Sequence, residues 1–202
     1  MTPDLILLAV FVVVTFALWR EGVWSALVLL LEVLAAATFA TAWFERVAAM
    51  LEESLPSFAY LLDFISLWGL FALTLLVLRE LTDRIGRTKI VLRRPVELFG
   101  GPLVAALVGW VMVCFTAASL HVAPLTRDFV QPTPEARMLF GLAPDRKWLA
   151  WVRGSTLRGP FAAPAHGFDT GTLGEGHDAD FIIRYADRRK WLEGEPSLRV
   201  DR

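Results

Sequence analysis

Apolar runs separated by short charged links fill the first 122 residues of the chain. The runs hold 15 to 25 residues each. At about 1.5 Å rise per residue, helices of these lengths reach roughly 22 to 37 Å, against about 30 Å for the hydrocarbon core of a bilayer. The pattern therefore predicts four transmembrane helices. The predicted spans are residues 3–19, 23–44, 56–78 and 98–122.

The pattern changes in the C-terminal tail, residues 123–202, where polar and apolar positions mix. Three short helices are predicted there: Thr133–Gly141, Asp145–Arg153 and Asp178–Glu193. Helices this short bury little apolar surface by themselves, so the tail must lean on the membrane domain, the lipid surface or a partner. The predicted fold class is an all-α integral membrane protein, with a transmembrane domain of residues 1–122 and an extramembrane tail.

Composition agrees with this assignment and narrows the function. The chain is 55% hydrophobic and carries 20 basic and 21 acidic residues, for a net charge of −1. The tail alone holds 12 of the basic and 11 of the acidic residues. Nucleic-acid binding needs a basic excess, so no nucleic-acid partner is expected. The first residues lack the basic segment of a signal peptide, and the first run is expected to remain as a membrane helix.

The charged links predict the orientation. The third link, residues 79–97, holds six Lys and Arg residues, whereas the second link holds one. Basic residues in short links are retained in the cytoplasm, which places the third link inside and both termini on the outer face. The same link has apolar residues at Leu81, Ile85 and Ile90. It reads equally as a segment lying on the membrane surface or as an ordinary solvated connector.

Glu32 is the most unusual residue of the apolar runs, because it lies ten residues into the second one. A carboxylate near the middle of a bilayer costs about 2.5–3.5 kcal/mol on insertion scales and is a candidate functional group. Three roles are open. Glu32 could be a proton relay, an ion ligand, or a polar clamp that bonds a neighbouring helix.

Asp63 is the second acid of the apolar runs, about two turns into the third one. It could lie at head-group depth, where a charge is tolerated. If the second and third helices are neighbours, Glu32 and Asp63 could instead both face the interior of the bundle and form one intramembrane polar site.

Small residues follow one another at four-residue steps in the fourth run, at Gly101, Ala105 and Gly109. Such a stripe lets helix backbones approach closely, and packing of this kind drives helix association in lipid. The stripe predicts a helix-packing surface. It does not distinguish packing within one chain from formation of a homo-oligomer.

No motif for catalysis, cofactor binding or metal binding is expected in this sequence. The polar cluster in the tail does not have the spacing of a zinc or calcium site and reads as a polar loop. A phosphate-binding glycine loop, a dinucleotide-binding pattern and a nucleophile elbow are missing from the sequence. The chain is therefore predicted not to be an enzyme. The polar cluster consists of His166, Asp169, His177, Asp178 and Asp180.

The chain resembles the colicin V production protein (CvpA) family over residues 3–122. The resemblance rests on Asp4 before an apolar run, on the tight hairpin turn within Ala17–Ala26, and on Pro95–Gly109, where a short apolar lead precedes Gly-Gly and a small-residue-rich helix. It implies a multi-pass protein of the bacterial inner membrane, associated with production or export of colicin V and with envelope homeostasis.

Two functions of different classes fit these observations. The first is an accessory or scaffold protein of toxin production or export, with the lipid bilayer and an envelope or secretion protein as partners. The second is a small oligomeric channel or transporter component, with a proton or ion path at Glu32. Neutralising Glu32 would be tolerated under the first hypothesis and would abolish function under the second.

Overall fold

The computed structural model describes residues 3–54, 58–86, 94–125, 127–130, 133, 136–158, 168 and 180–194. Every regular element within these residues is a helix. Four of the helices lie in the N-terminal part of the chain and three short ones in the tail. They are α1 (Pro3–Leu18), α2 (Val23–Glu52), α3 (Ala59–Ile85), α4 (Arg94–Val122), α5 (Arg127–Val130), α6 (Pro144–Arg158) and α7 (Asp180–Gly194).

Three of these helices are long and apolar enough to cross a membrane. They are α2, α3 from Leu61 onward, and α4 from Val96 onward. The first helix is apolar but has only 16 residues, about 24 Å of helix. The prediction of long apolar membrane helices thus holds for three of the four spans.

α2 and α3 are both longer than the apolar runs that predicted them. α2 continues past Phe44 to Glu52, because Val47–Leu51 are residues that a helix accommodates. α3 continues to Ile85, and ion pairs one turn apart support its last residues: Arg79 Nε lies 3.5 Å from Asp83 Oδ2, and Arg84 Nε lies 2.7 Å from Glu80 Oε1. The prediction that residues 45–52 and 79–85 are links is therefore wrong.

The four N-terminal helices follow the order α1, α4, α2, α3 across the bundle, since α4 packs against both α1 and α2, and α2 packs against α3. The α1–α4 contact is close. A Cβ atom added to Gly109 would lie 2.5 Å from Thr15 Oγ1 and 3.2 Å from the Phe11 carbonyl oxygen. Nearer the start of α4, a Cβ on Gly101 would lie 3.0 Å from the Glu21 carbonyl oxygen. Glycine at these positions lets α4 lie against the α1–α2 hairpin.

The tail packs onto the bundle and shares its core. The buried residues Trp148, Leu149 and Val152 of α6 belong to the same apolar cluster as Phe44 of α2 and Phe115 of α4. α6 ends at Arg158 rather than at the predicted Gly154, and α7 nearly coincides with the predicted Asp178–Glu193 helix. The tail helices therefore bury their apolar residues against the bundle, which three isolated short helices could not do.

The predicted helix Thr133–Gly141 is wrong where the structure describes it. Met138–Leu142 form a turn, in which Leu139, Phe140 and Gly141 have φ of 52°, 53° and 89°. The Leu139 amide donates a hydrogen bond of 2.7 Å to Asp4 Oδ1 at the start of α1. Tertiary contact to α1, together with burial of Met138 and Leu139, outweighs the local helix signals.

Candidate functional site

Glu32 is buried between α2 and α3, with 4% of its surface exposed. The Thr82 hydroxyl donates a hydrogen bond to Glu32 Oε1, and Arg79 NH1 lies 3.8 Å from Glu32 Oε2. Both partners come from the last two turns of α3. Oε1 therefore accepts a hydrogen bond from α3, whereas the buried Oε2 has the longer contact to Arg79 and no hydrogen-bond partner among the described residues.

Asp63 lies near the other end of α3 and is engaged by the tail. Arg188 NH1 of α7 pairs with Asp63 Oδ2. One turn earlier on α7, Arg184 NH2 lies 2.9 Å from Glu45 Oε1 of α2. The four-residue spacing puts Arg184 and Arg188 on one side of α7, so a single short helix binds the ends of both α2 and α3.

Tyr185 adds a third contact at this junction. Its hydroxyl lies 3.4 Å from Glu45 Oε1, and its ring packs on Phe181 with centroids 4.7 Å apart. Burial raises the pKa of Tyr185 above its usual range, and the nearby Glu45 carboxylate acts in the same direction. The phenol is thus held neutral and acts as an anchor rather than as an acid.

Glu32 and Asp63 do not form one site, although α2 and α3 are neighbours as the hypothesis required. Each is buried, but their partners are different. Glu32 is bonded near the C-terminal end of α3, and Asp63 lies close to its N-terminal end. On α3, Asp63 and Arg79, which lies beside Glu32, are separated by about 24 Å along the helix axis.

His121 and Asp145 form a fully buried polar pair. His121 Nε2 at the end of α4 lies 3.1 Å from Asp145 Oδ2 at the start of α6, and neither side chain is exposed. This pair was not predicted from the sequence. Its only signal was a histidine in the last turn of one helix and an acid in the first turn of another.

Two threonines of α2 receive hydrogen bonds from tryptophans of α6. Trp148 Nε1 donates to Thr41 Oγ1 and Trp151 Nε1 donates to Thr38 Oγ1, each at 3.0 Å. The threonine hydroxyls in turn donate to the Ala37 and Leu34 carbonyl oxygens. Both tryptophans therefore bind the tail to the bundle.

Glu97 connects the start of α4 to the start of α2. Glycine at position 22 gives α2 no side-chain cap, and the Val23 amide instead donates a 3.0 Å hydrogen bond to Glu97 Oε2. The first amides of a helix have no partner within the helix, so an acceptor from elsewhere stabilises its end. The carboxylate of one helix thus caps another.

The predicted packing stripe lies where α4 meets its neighbours. Gly101 and Gly109 contact the α1–α2 hairpin closely, and Ala105 between them is fully buried. The neighbours of both glycines belong to the same chain. Of the polar tail cluster, residues 166, 169, 177 and 178 lie outside the described residues, as does the side chain of Asp180.

These features define a helical membrane protein in which a short-helix tail is bonded into the membrane bundle. The family model described as colicin V production protein matches residues 3–165. The chain belongs to the colicin V production protein family. The match continues through α6, so the resemblance reaches further than residue 122, where it was expected to end. No curated protein and no solved structure matches the chain.

Proposed function

We propose that this chain is an accessory, scaffold-type protein of the bacterial inner membrane that supports production or export of a colicin V-like toxin and envelope homeostasis. Family membership supports the link to colicin V production. One observation carries the scaffold role: the buried Glu32 accepts a hydrogen bond from Thr82 of its own chain, with Arg79 3.8 Å from its other oxygen.

A clamp and an ion path make different demands on Glu32. A carboxylate that relays protons or binds ions must exchange partners with water or with the ion. A clamp needs only an acceptor that stays hydrogen-bonded to a donor on the neighbouring helix. Glu32 Oε1 accepts a hydrogen bond from the Thr82 hydroxyl, and burial limits the access of water to Glu32. Both observations favour the clamp.

A small oligomeric channel or transporter component is the second candidate, and one observation favours it. Arg79 beside Glu32 is 49% exposed, and the more exposed Asp83 is its ion-pair partner. These charges share the last two turns of α3 with Leu81 and Ile85, which are exposed apolar residues. Charged groups next to an apolar surface need water or a polar partner. A second copy of the chain would supply that partner.

Complementation with Glu32→Gln separates the two candidates. The gene is deleted in its host, and toxin export and envelope stress are measured after complementation with wild type or Glu32→Gln at matched membrane levels. Glutamine keeps an acceptor for Thr82 but has no titratable group. The scaffold role predicts full rescue. Failure of a normally assembled Glu32→Gln protein would overturn that role in favour of an ion path.

A control variant and a flux assay complete the comparison of the scaffold role with an ion path. Glu53→Gln is the matched control, because Glu53 is an exposed acid just beyond the end of α2. Purified wild-type protein in liposomes with a pH-sensitive dye inside is expected to dissipate a proton gradient no faster than empty liposomes. Proton flux that Glu32→Gln removes would contradict the scaffold role.

A further inference from the structure

A cationic cleft lies beside α6 and the turn that precedes it. Its volume is about 860 Å³, and the small residues Ala150 and Gly154 form part of its wall. Among the described residues that line it, none is acidic. Its basic residues are Arg137, Arg146, Lys147, Arg153 and Arg158.

Three arginines of this cleft carry charges that no carboxylate among the described residues pairs with. Within the part of the chain that the structure describes, Arg137, Arg153 and Arg158 form no ion pair with a carboxylate. The acid of the same helix, Asp145, is turned inward to His121. Like charges held close together repel one another, so an anion entering the cleft would be stabilised.

The arginines of the cleft suit a phosphate group. Guanidinium groups bind phosphate oxygens through two parallel hydrogen bonds, which favours arginine at such sites. A Cβ atom added to Gly154 would have no heavy atom within 4 Å. Glycine is therefore not required there for packing, and its missing side chain leaves room in the cleft.

An apolar rim adjoins the charged cleft. Phe140 and Leu142, in the turn before α6, are 79% and 49% exposed. On the side of the membrane helices, the Lys147 ammonium lies 5.3 Å from the centre of the Trp110 ring of α4. Positive charge beside exposed apolar side chains and a candidate membrane span is the arrangement that an anionic lipid fits.

We propose that this cleft binds the phosphate headgroup of an anionic phospholipid, with Arg153 and Arg158 contacting the phosphate. The acyl chains lie along the apolar rim at Phe140 and Leu142. A soluble phosphate compound would satisfy the charges but would leave the exposed rim uncovered, so the lipid is the ligand that both observations favour.

Lipid retention by the full chain tests this assignment. Protein purified in a neutral detergent is mixed with phosphatidylglycerol or phosphatidylcholine, and the retained lipid is counted by native mass spectrometry. Wild type is expected to retain one phosphatidylglycerol in clear preference to phosphatidylcholine. The Arg153→Gln/Arg158→Gln variant is expected to lose about thirtyfold in affinity for phosphatidylglycerol. Equal retention of the two lipids by wild type would overturn the proposal.

Gly154→Leu tests the cleft without changing its charge. The added side chain fills the open space, and leucine favours helix over glycine, so the variant is expected to fold at least as stably as wild type. Its affinity for phosphatidylglycerol is expected to fall at least tenfold. Unchanged retention by folded Gly154→Leu would place the lipid elsewhere and contradict the proposal.

Two further arms identify the ligand. Arg84→Gln removes an exposed arginine of α3 that pairs with Glu80, and it is expected to retain lipid like wild type. Inorganic phosphate and glycerol phosphate are titrated against the bound lipid at the same molar concentrations. Displacement at equal concentration would mean that the cleft binds a soluble phosphate compound, and the lipid assignment would fail.

Discussion

His121 Nε2 and Asp145 Oδ2 lie 3.1 Å apart inside the core, and they join the end of the last long helix to the start of α6. Between them along the chain, Val130, Met138 and Leu139 pack on α1 and α4, and the Leu139 amide bonds to Asp4. The pair joins the two helices through a contact that water does not reach. The position of α6 therefore depends on this buried polar contact and on the Trp148–Thr41 bond as well as on apolar packing.

Asp145→Ala is expected to lower the free energy of unfolding by about 3 kcal/mol, because it leaves the buried His121 without its carboxylate partner. The measurement is the unfolding of the full chain in detergent micelles. Asp187→Ala, at an exposed acid of α7, is the control and is expected to change little. The double variant His121→Leu/Asp145→Leu is expected to recover much of the loss, since two apolar groups bury without a polar penalty. A double variant less stable than Asp145→Ala would contradict this account.

Gly109→Ala is expected to destabilise the α1–α4 contact by about 1–3 kcal/mol, because the new methyl group meets Thr15 and the Phe11 backbone. Gly69→Ala on α3 is the matched control. A Cβ there meets nothing within 4 Å, so the change is expected to be neutral or to stabilise the helix by up to about 1 kcal/mol. Unfolding of both variants in the same detergent gives the comparison, and equal stabilities would show that α1 does not pack as described.

Thr41→Val is expected to loosen α6 more than Thr38→Val does. Each substitution removes the acceptor of a tryptophan N–H, but Trp148 is buried whereas Trp151 is exposed and can turn to water. An unsatisfied buried donor costs about 1–3 kcal/mol. Limited proteolysis of the tail measures the effect, and Thr41→Ser, which keeps the hydroxyl, is expected to resist cleavage like wild type. Equal cleavage of the two valine variants would argue against the Trp148 bond.

Glu32 and Thr82 are expected to be energetically coupled. In a double-mutant cycle of Glu32→Ala and Thr82→Val, the coupling energy is expected to be about 0.5–2 kcal/mol, the range for bonded side chains on neighbouring helices. The readout is unfolding in detergent. A parallel cycle with Thr38→Val, whose hydroxyl is bonded elsewhere, is expected to show no coupling, and coupling of equal size there would remove the case for a clamp.

The sequence predicts the helical fold well because apolar runs of this length leave few alternatives. Its errors occur where contacts between distant residues decide the outcome. The end of α3 is charged, and hydropathy alone ends the span at Leu78, yet ion pairs one turn apart continue the helix. The turn at Met138–Leu142 has local helix signals, but its backbone is held by Asp4, over a hundred residues away.

The candidate site was predictable in part. Glu32 is conspicuous because a carboxylate in an apolar run costs free energy unless it has a partner. Its partners were not predictable, since Thr82 and Arg79 lie beyond the hydrophobic part of the third span. Arg188 pairs with Asp63 from the far end of the chain, and hydropathy patterns carry no information about such pairings.

The bond between Glu97 and the Val23 amide has a consequence for the order of assembly. A ribosome synthesises α1, α2 and α3 before it reaches residue 97. During that time the first amide of α2 lacks this acceptor. Synthesis of α4 supplies it, and it also brings Gly109, against which α1 packs. The last long helix therefore completes the capping of α2 and the packing of α1, and we expect a nascent chain cut short before residue 97 to be degraded rather than to function.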